Sequence, residues 1–196
     1  MGVYVFAEIE YDQADNRKWH LSVPHVLPDG SWKDVWAYSR CERISPVMPL
    51  DVSVKKIGRP VDYNFASFNI PIVSARLGQI IDEIAPLDIQ RIPVNMSAVG
   101  EWEVLNVLHK VDCLDRRRSI IQYFPSDPAD PEVIQYPHRA GKPRGVVKLV
   151  IDPQRVHDRH IFRIQDWTVV VIISNVLKQS FESAGVTGIH YRSVVE

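Results

Sequence analysis

Apolar and polar positions alternate from the first residues. Val3, Val5, Ala7 and Ile9 fall on one side and Tyr4, Phe6 and Glu8 on the other, the period of a strand. A second apolar run, WHLSVPHVL at 19–27, ends in Pro28-Asp29-Gly30. Proline fixes φ there and glycine accepts φ > 0, so a turn is predicted, with DVWAYSR (34–40) pairing back as a hairpin. Pro46, Pro49, Gly58 and Pro60 make 45–60 irregular, with one short strand expected at 52–57. The pattern then lengthens. Residues 62–73 read as extended, Ser74 can cap a helix, and Leu77, Ile80, Ile81 and Ile84 form one buried stripe before Pro86 stops it. A strand follows at 87–94, then others at 101–112, 119–124, 145–152 and 160–165, with a five-proline loop over 125–145. The end repeats the earlier grammar: strand 166–173, cap Ser174, stripe Leu177, Ser180, Phe181 and Ala184, stop Gly185, and a closing strand at 187–195.

Two stretches one hundred residues apart nearly coincide. IVSARLGQIIDEI (72–84) and IISNVLKQSFESA (172–184) share Ile72/Ile172, Ser74/Ser174, Leu77/Leu177 and Gln79/Gln179 in register. Helix N-termini can hold anions, so the pair could be two equivalent ligand sites. Neither has the glycine-rich loop or lysine that phosphate sites add, and the shared positions are cap and core positions. The structural reading wins: a strand–helix–strand unit used twice, at about 68–94 and 168–194. The fold class is α+β, with mixed or antiparallel sheets and two main helices. A boundary within 45–60 would separate a β-rich region, 1–60, from an α+β body, 61–196.

With 23 basic against 24 acidic residues the net charge is −1, which argues against a nucleic-acid binder working through a general positive field. Nothing approaches the roughly 18 apolar residues of a spanning helix, so no membrane partner is expected. MGVYVFAEIEYDQ lacks the basic start of a secretory signal, and two cysteines are too few for a disulfide framework. A reduced cytoplasmic setting follows.

The candidates for chemistry are few. HDRH at 157–160, with Asp152 upstream, is the most metal-like string, but no HExxH or cysteine pair supports it and the neighbouring Pro153 and HIFRI leave room for one turn only. Cys113 and His109 suggest a thiol–imidazole pair, yet four residues along a strand is roughly 13 Å. DCLDRRRS (112–119) could clamp an oxyanion or simply pair its own aspartates and arginines. Trp32, Trp36 and Tyr38 cluster beside the Asp29-Gly30 turn and suit either a protein contact or a small core. No catalytic, cofactor-binding or metal-ligating set emerges.

VLNVLHKVDCLDRRRS (104–119), VVKLVID with HIFRI (146–164) and VIISNVLKQSFESAGVTGIHY (171–191) resemble, in that order, the segments of immunity protein family 11 of polymorphic toxin systems. Asp112, Leu114, Asp115 and Ser119 match its bend. Ile161, Phe162 and Arg163 match its strand, and Ser174, Leu177, Gly185 and Gly188 match its tail, while Ile173 and Phe181 are conservative departures. The resemblance covers about 62–196 and leaves the first 60 residues unmatched. It implies a non-enzymatic bacterial protein that binds a cognate toxin encoded beside it, of nuclease-like type; the clustered Trp32, Trp36 and Tyr38, which lie outside the resemblance, are the contacts expected from their residue types alone. The competing expectation is a metal- or arginine-dependent hydrolase or nucleotide-handling enzyme using Asp152, His157 and His160, or Arg116 to Arg118.

Overall fold

The computed structural model describes residues 6–11, 19–25, 34–45, 49–97 and 100–195. In chain order they form β1 (Phe6–Tyr11), β2 (His20–Leu21), the single-turn helix α1 (Ala37–Arg40), β3 (Leu50–Asp51), β4 (Val54–Lys56), β5 (Tyr63–Ala66) and β6 (Ile70–Ser74). Helix α2 (Ala75–Ile84) follows, then β7 (Ile89–Asn95), β8 (Trp102–Val107), β9 (Lys110–Val111), β10 (Ile120–Tyr123), the short helix α3 (Pro131–Gln135) and β11 (Pro143–Lys148). The chain closes with β12 (Ile161–Ile164), β13 (Trp167–Ser174), α4 (Asn175–Ser183) and β14 (Ile189–Ser193). The fold is mixed α+β and mostly sheet, with α2 and α4 as its main helices.

Three sheets result. A seven-stranded sheet has the order β3-β7-β8-β6-β5-β2-β4, a five-stranded sheet the order β14-β1-β13-β12-β9, and β10 pairs with β11 alone. Within the larger two, β5-β6-β8-β7 and β12-β13-β1-β14 have one pairing pattern, every neighbour antiparallel. In each, a hairpin leads into a helix that crosses over a third strand and returns parallel to its start. The strand crossed is the following β8 in one case and the N-terminal β1 in the other. Residues before position 60 thus supply strands to both large sheets: β1 to the smaller, β2 to β4 to the larger.

Both helices begin on a serine whose Oγ accepts the backbone N–H three residues on, Leu77 N to Ser74 at 3.3 Å and Leu177 N to Ser174 at 3.4 Å. α4 ends on Gly185 with φ 63°, the left-handed stop its sequence predicts. One core joins the inner faces of both sheets to the buried sides of both helices, including Val73, Leu77, Ile81, Ile173, Leu177 and Phe181. The outer faces are closed separately. Residues around Trp19, Tyr38 and Leu50 cover the seven-stranded sheet, whereas Cys113, Leu149, Ile151 and Val156 cover the five-stranded one.

Two polar latches tie the halves together. Asp62, half-buried before β5, accepts from Ser74 Oγ, Arg76, Thr187 N and Thr187 Oγ1 at 2.8–2.9 Å. At the corresponding place before β12, His160 shares a 2.9 Å hydrogen bond with Ser174 Oγ, and its N–H donates to Asp88 of the α2–β7 connection. Each half is therefore bound through its cap to the helix–strand connection of the other. Gly188 lies in that seam with φ 89°, and a Cβ there would sit 2.6 Å from the Tyr63 carbonyl oxygen, so no other residue fits.

Three local expectations change. Residues 34–40 do not form a hairpin strand, because Asp34 accepts the Trp36 N–H and closes one helical turn. The extended reading of 62–73 resolves into a hairpin broken at 67–69. The single strand expected at 101–112 divides into β8 and β9: Leu108 N to Asp88 O is the last rung against the β7 side, and Lys110 and Val111 then pair in parallel with β12 of the other sheet. The turn predicted at Pro28-Asp29-Gly30 lies outside the described residues.

Candidate functional site

Helix α1 exists because Asp34 holds its start. The Asp34 carboxylate accepts Trp36 N, its carbonyl accepts Ala37 N, and Arg40 N donates to Trp36 O. Cys41, at φ 59°, ends the turn after four residues. The consequence is a division of side chains. Ala37 and Tyr38 enter the core, with Tyr38 only 1% exposed, while Trp36 stands 57% exposed. Tyr38 thus supports the surface from beneath and makes no part of it, and Trp32 lies outside the described residues.

Trp36 meets a second exposed ring. Phe68, between β5 and β6, is 51% exposed and packs edge-to-face on Trp36 with centroids 5.3 Å apart. Phe68 and Asn69 both have left-handed backbones, φ 63° and 54°, a conformation costing non-glycine residues about 1–2 kcal/mol each. The hairpin holds this strain because it is braced. Arg163, 2% exposed, donates from Nη1 to Thr168 O at 2.6 Å and reaches Asn69 O from Nη2 at 3.5 Å. Burial pulls its pKa down, against opposing contributions from Cys41 and Tyr63. Its Nε and the Tyr63 hydroxyl have no hydrogen-bond partner among the described residues. A buried cation bound to carbonyls is expensive, and here it fixes the loop that displays Phe68.

The aromatic pair has a charged border. Arg40 pairs with Asp34 at 2.5 Å and Glu42 at 2.7 Å, and its hydrogen bonds hold both carboxyls below their ordinary range. An apolar centre with a polar rim is the anatomy of a protein-binding patch.

The enzyme-like candidates are placed differently. Asp152 caps a short turn through Gln154 N and pairs with Arg155, while the ring of His160 is spent on Ser174. That Ser–His contact has the distance of a nucleophile and its base. Ser174, however, is 7% exposed and its Oγ already accepts Leu177 N, so no substrate reaches it. His157 lines an open cleft of about 560 Å3 with His109, Lys110, Asp112, Arg155 and Arg159. Two of its arginines are already paired, Arg159 with Asp88 at 2.8 Å and Arg155 with Asp112 at 3.6 Å. Among the described residues no three His, Cys, Asp or Glu side chains are grouped to hold a metal ion.

DCLDRRRS is a self-paired bend. Asp115 accepts Arg118 Nε at 2.7 Å and the N–H groups of Arg117 and Arg118, and the Arg118 bond first among these holds its carboxyl low. Arg116 pairs with Asp166 and, at 3.9 Å, with Asp112. Ser119 Oγ closes the bend against Val150, accepting its N–H and donating to its carbonyl. Cys113 is fully buried and burial pushes its thiol up to about 12, so it acts as a small apolar residue. Sequence reasoning missed Phe68 and the brace from Arg163. The only local signal was Asn69, a residue that tolerates the left-handed region.

No curated protein matches the chain. The sequence profile of the immunity protein family Imm11 matches residues 6–196, reaching through the first 60 residues that the motif-level resemblance left unassigned. The chain therefore belongs to the immunity protein family Imm11.

Proposed function

We propose that this protein neutralises a cognate toxin by binding it, performs no reaction itself, and uses the Trp36–Phe68 pair as its main anchor. The observation carrying this reading is two large rings in contact at the surface, Phe68 on a left-handed backbone and Trp36 on the turn that Asp34 holds. Pre-set aromatic side chains lose little freedom on binding, which is why such residues dominate interface energetics. Trp32 belongs to the same proposal as a neighbour of the pair in sequence. The toxin is taken to be the product of an adjoining gene, acting in the same cytoplasm.

Co-expression tests the reading. Cells making the toxin domain should grow when they also make this protein, and the purified pair should elute as a 1:1 complex. Neither rescue nor complex would remove the proposal.

A further inference from the structure

The two latches join the halves at the cap ends of β6 and β13, and Arg163 joins them at the opposite ends. From β12 its guanidinium donates to Thr168 O at the start of β13 and reaches Asn69 O just before β6. Among the described residues no carboxylate stands against it, and its Nε finds no partner. A cation buried this way is a poor source of stability, because only neutral acceptors offset its lost hydration. What it does set is a distance. Helix α1, capped by Trp36, lies against β13, while Phe68 sits beside Asn69 in the hairpin of the other sheet. The rigid fork spanning Thr168 and Asn69 therefore fixes the spacing between the support of Trp36 and the support of Phe68, whose ring centroids lie 5.3 Å apart.

Resting on the aromatic-anchor reading, we propose that Arg163 is a positioning residue for toxin binding, which touches no partner itself and holds Phe68 against Trp36 in the geometry the partner meets. At 2% exposed it lies beyond the reach of any bound protein. Without it, nothing opposes relaxation of the left-handed backbones at Phe68 and Asn69, and the ring moves off Trp36. A binding geometry that is populated only part of the time lowers the apparent affinity by that fraction. The guanidinium thus raises affinity without adding a contact, and it does so through one side chain. That route separates it from a residue serving the fold alone, which would act on binding whether or not Phe68 were present.

Calorimetric titration with the toxin domain from the adjoining gene tests this as a double-mutant cycle. Arg163→Met should weaken binding about tenfold, the loss expected if the display geometry falls to about a tenth of the population. Its thermal midpoint should stay within a few degrees, since relief of the buried cation offsets the two lost carbonyl bonds. In a Phe68→Ala background the same change should alter affinity less than about twofold, because the ring it positions is gone. Arg163→Lys keeps the charge but cannot span both carbonyls, so it should weaken binding about threefold. Run in the same two backgrounds, it carries the test if the methionine variant fails to fold. Unchanged affinity in a folded Arg163 variant overturns this proposal alone, and so do equal losses with and without Phe68, which would leave Arg163 a residue of the fold. No complex with the unmodified protein overturns it together with the immunity reading.

Discussion

The two halves of the molecule share a frame and differ in what covers it. In the frame, Ser74 and Ser174 cap equivalent helices, and Leu77 and Leu177 are both fully buried in the same core. Outside it the halves diverge. The seven-stranded sheet is closed by the segment bearing Trp36, and the five-stranded one by the segments that flank the β10–β11 hairpin. Even within the ladder one pair differs in kind. Ile92 faces Val104 in the first half, whereas Arg192 faces Glu8 at 2.6 Å in the second. The lesson is that burial constrains the frame, while the covers are free to carry recognition.

Three predictions press on the frame. The largest effect belongs to the helices: Leu77→Ala and Leu177→Ala should each cost about 2–5 kcal/mol, because each leaves a cavity in the shared core. Denaturant titration measures both, and an unchanged midpoint for either would break the equivalence of the halves. Next come the latches. Asp62→Ala and Asp88→Ala should each lose about 1–3 kcal/mol, since each strands donors from the opposite half. A loss confined to one variant would show that the halves are held from one side only.

The smallest effect is in pH dependence, where two carboxylates act with opposite sign. Burial would raise the Asp62 pKa, but the combined bonds from Thr187, Ser74 and Arg76 win and hold it below 3.8. Its contribution is therefore present above pH 3.8 and lost as pH falls through its lower folded value. For Glu8, burial outweighs Arg192 and raises the pKa above 4.5. Its contribution is present below pH 4.5 and lost as pH rises through its higher folded value. Unfolding free energies between pH 3 and 7 should show Asp62→Asn flattening the acid limb. Glu8→Gln should gain relative to the unmodified protein as pH rises through the Glu8 transition. The reverse order of slopes would contradict the assignment.

The sequence displayed the frame because its signals are local. Ser-x-x-Leu caps with i, i+3, i+4 stripes mark α2 and α4, and glycine at 185 marks a stop. The covers were harder. Asp-Val-Trp-Ala-Tyr has the composition of a strand, yet one Asp34 hydrogen bond turns it into helix and sends Tyr38 inward. Arg163 alternates with Phe162 as an outward residue would, but its far side faces the other sheet, and that face is set by tertiary packing. Phe68 took its left-handed backbone from the same long-range brace. Asp88, the hub of one latch, gave no pattern at all.

The claim that recognition lives on the first cover has one direct measurement. In calorimetric titration with the toxin domain, Trp36→Ala combined with Phe68→Ala should weaken binding at least thirtyfold, about 2 kcal/mol, while the thermal midpoint stays within a few degrees. An unchanged affinity in a well-folded double variant would contradict the account.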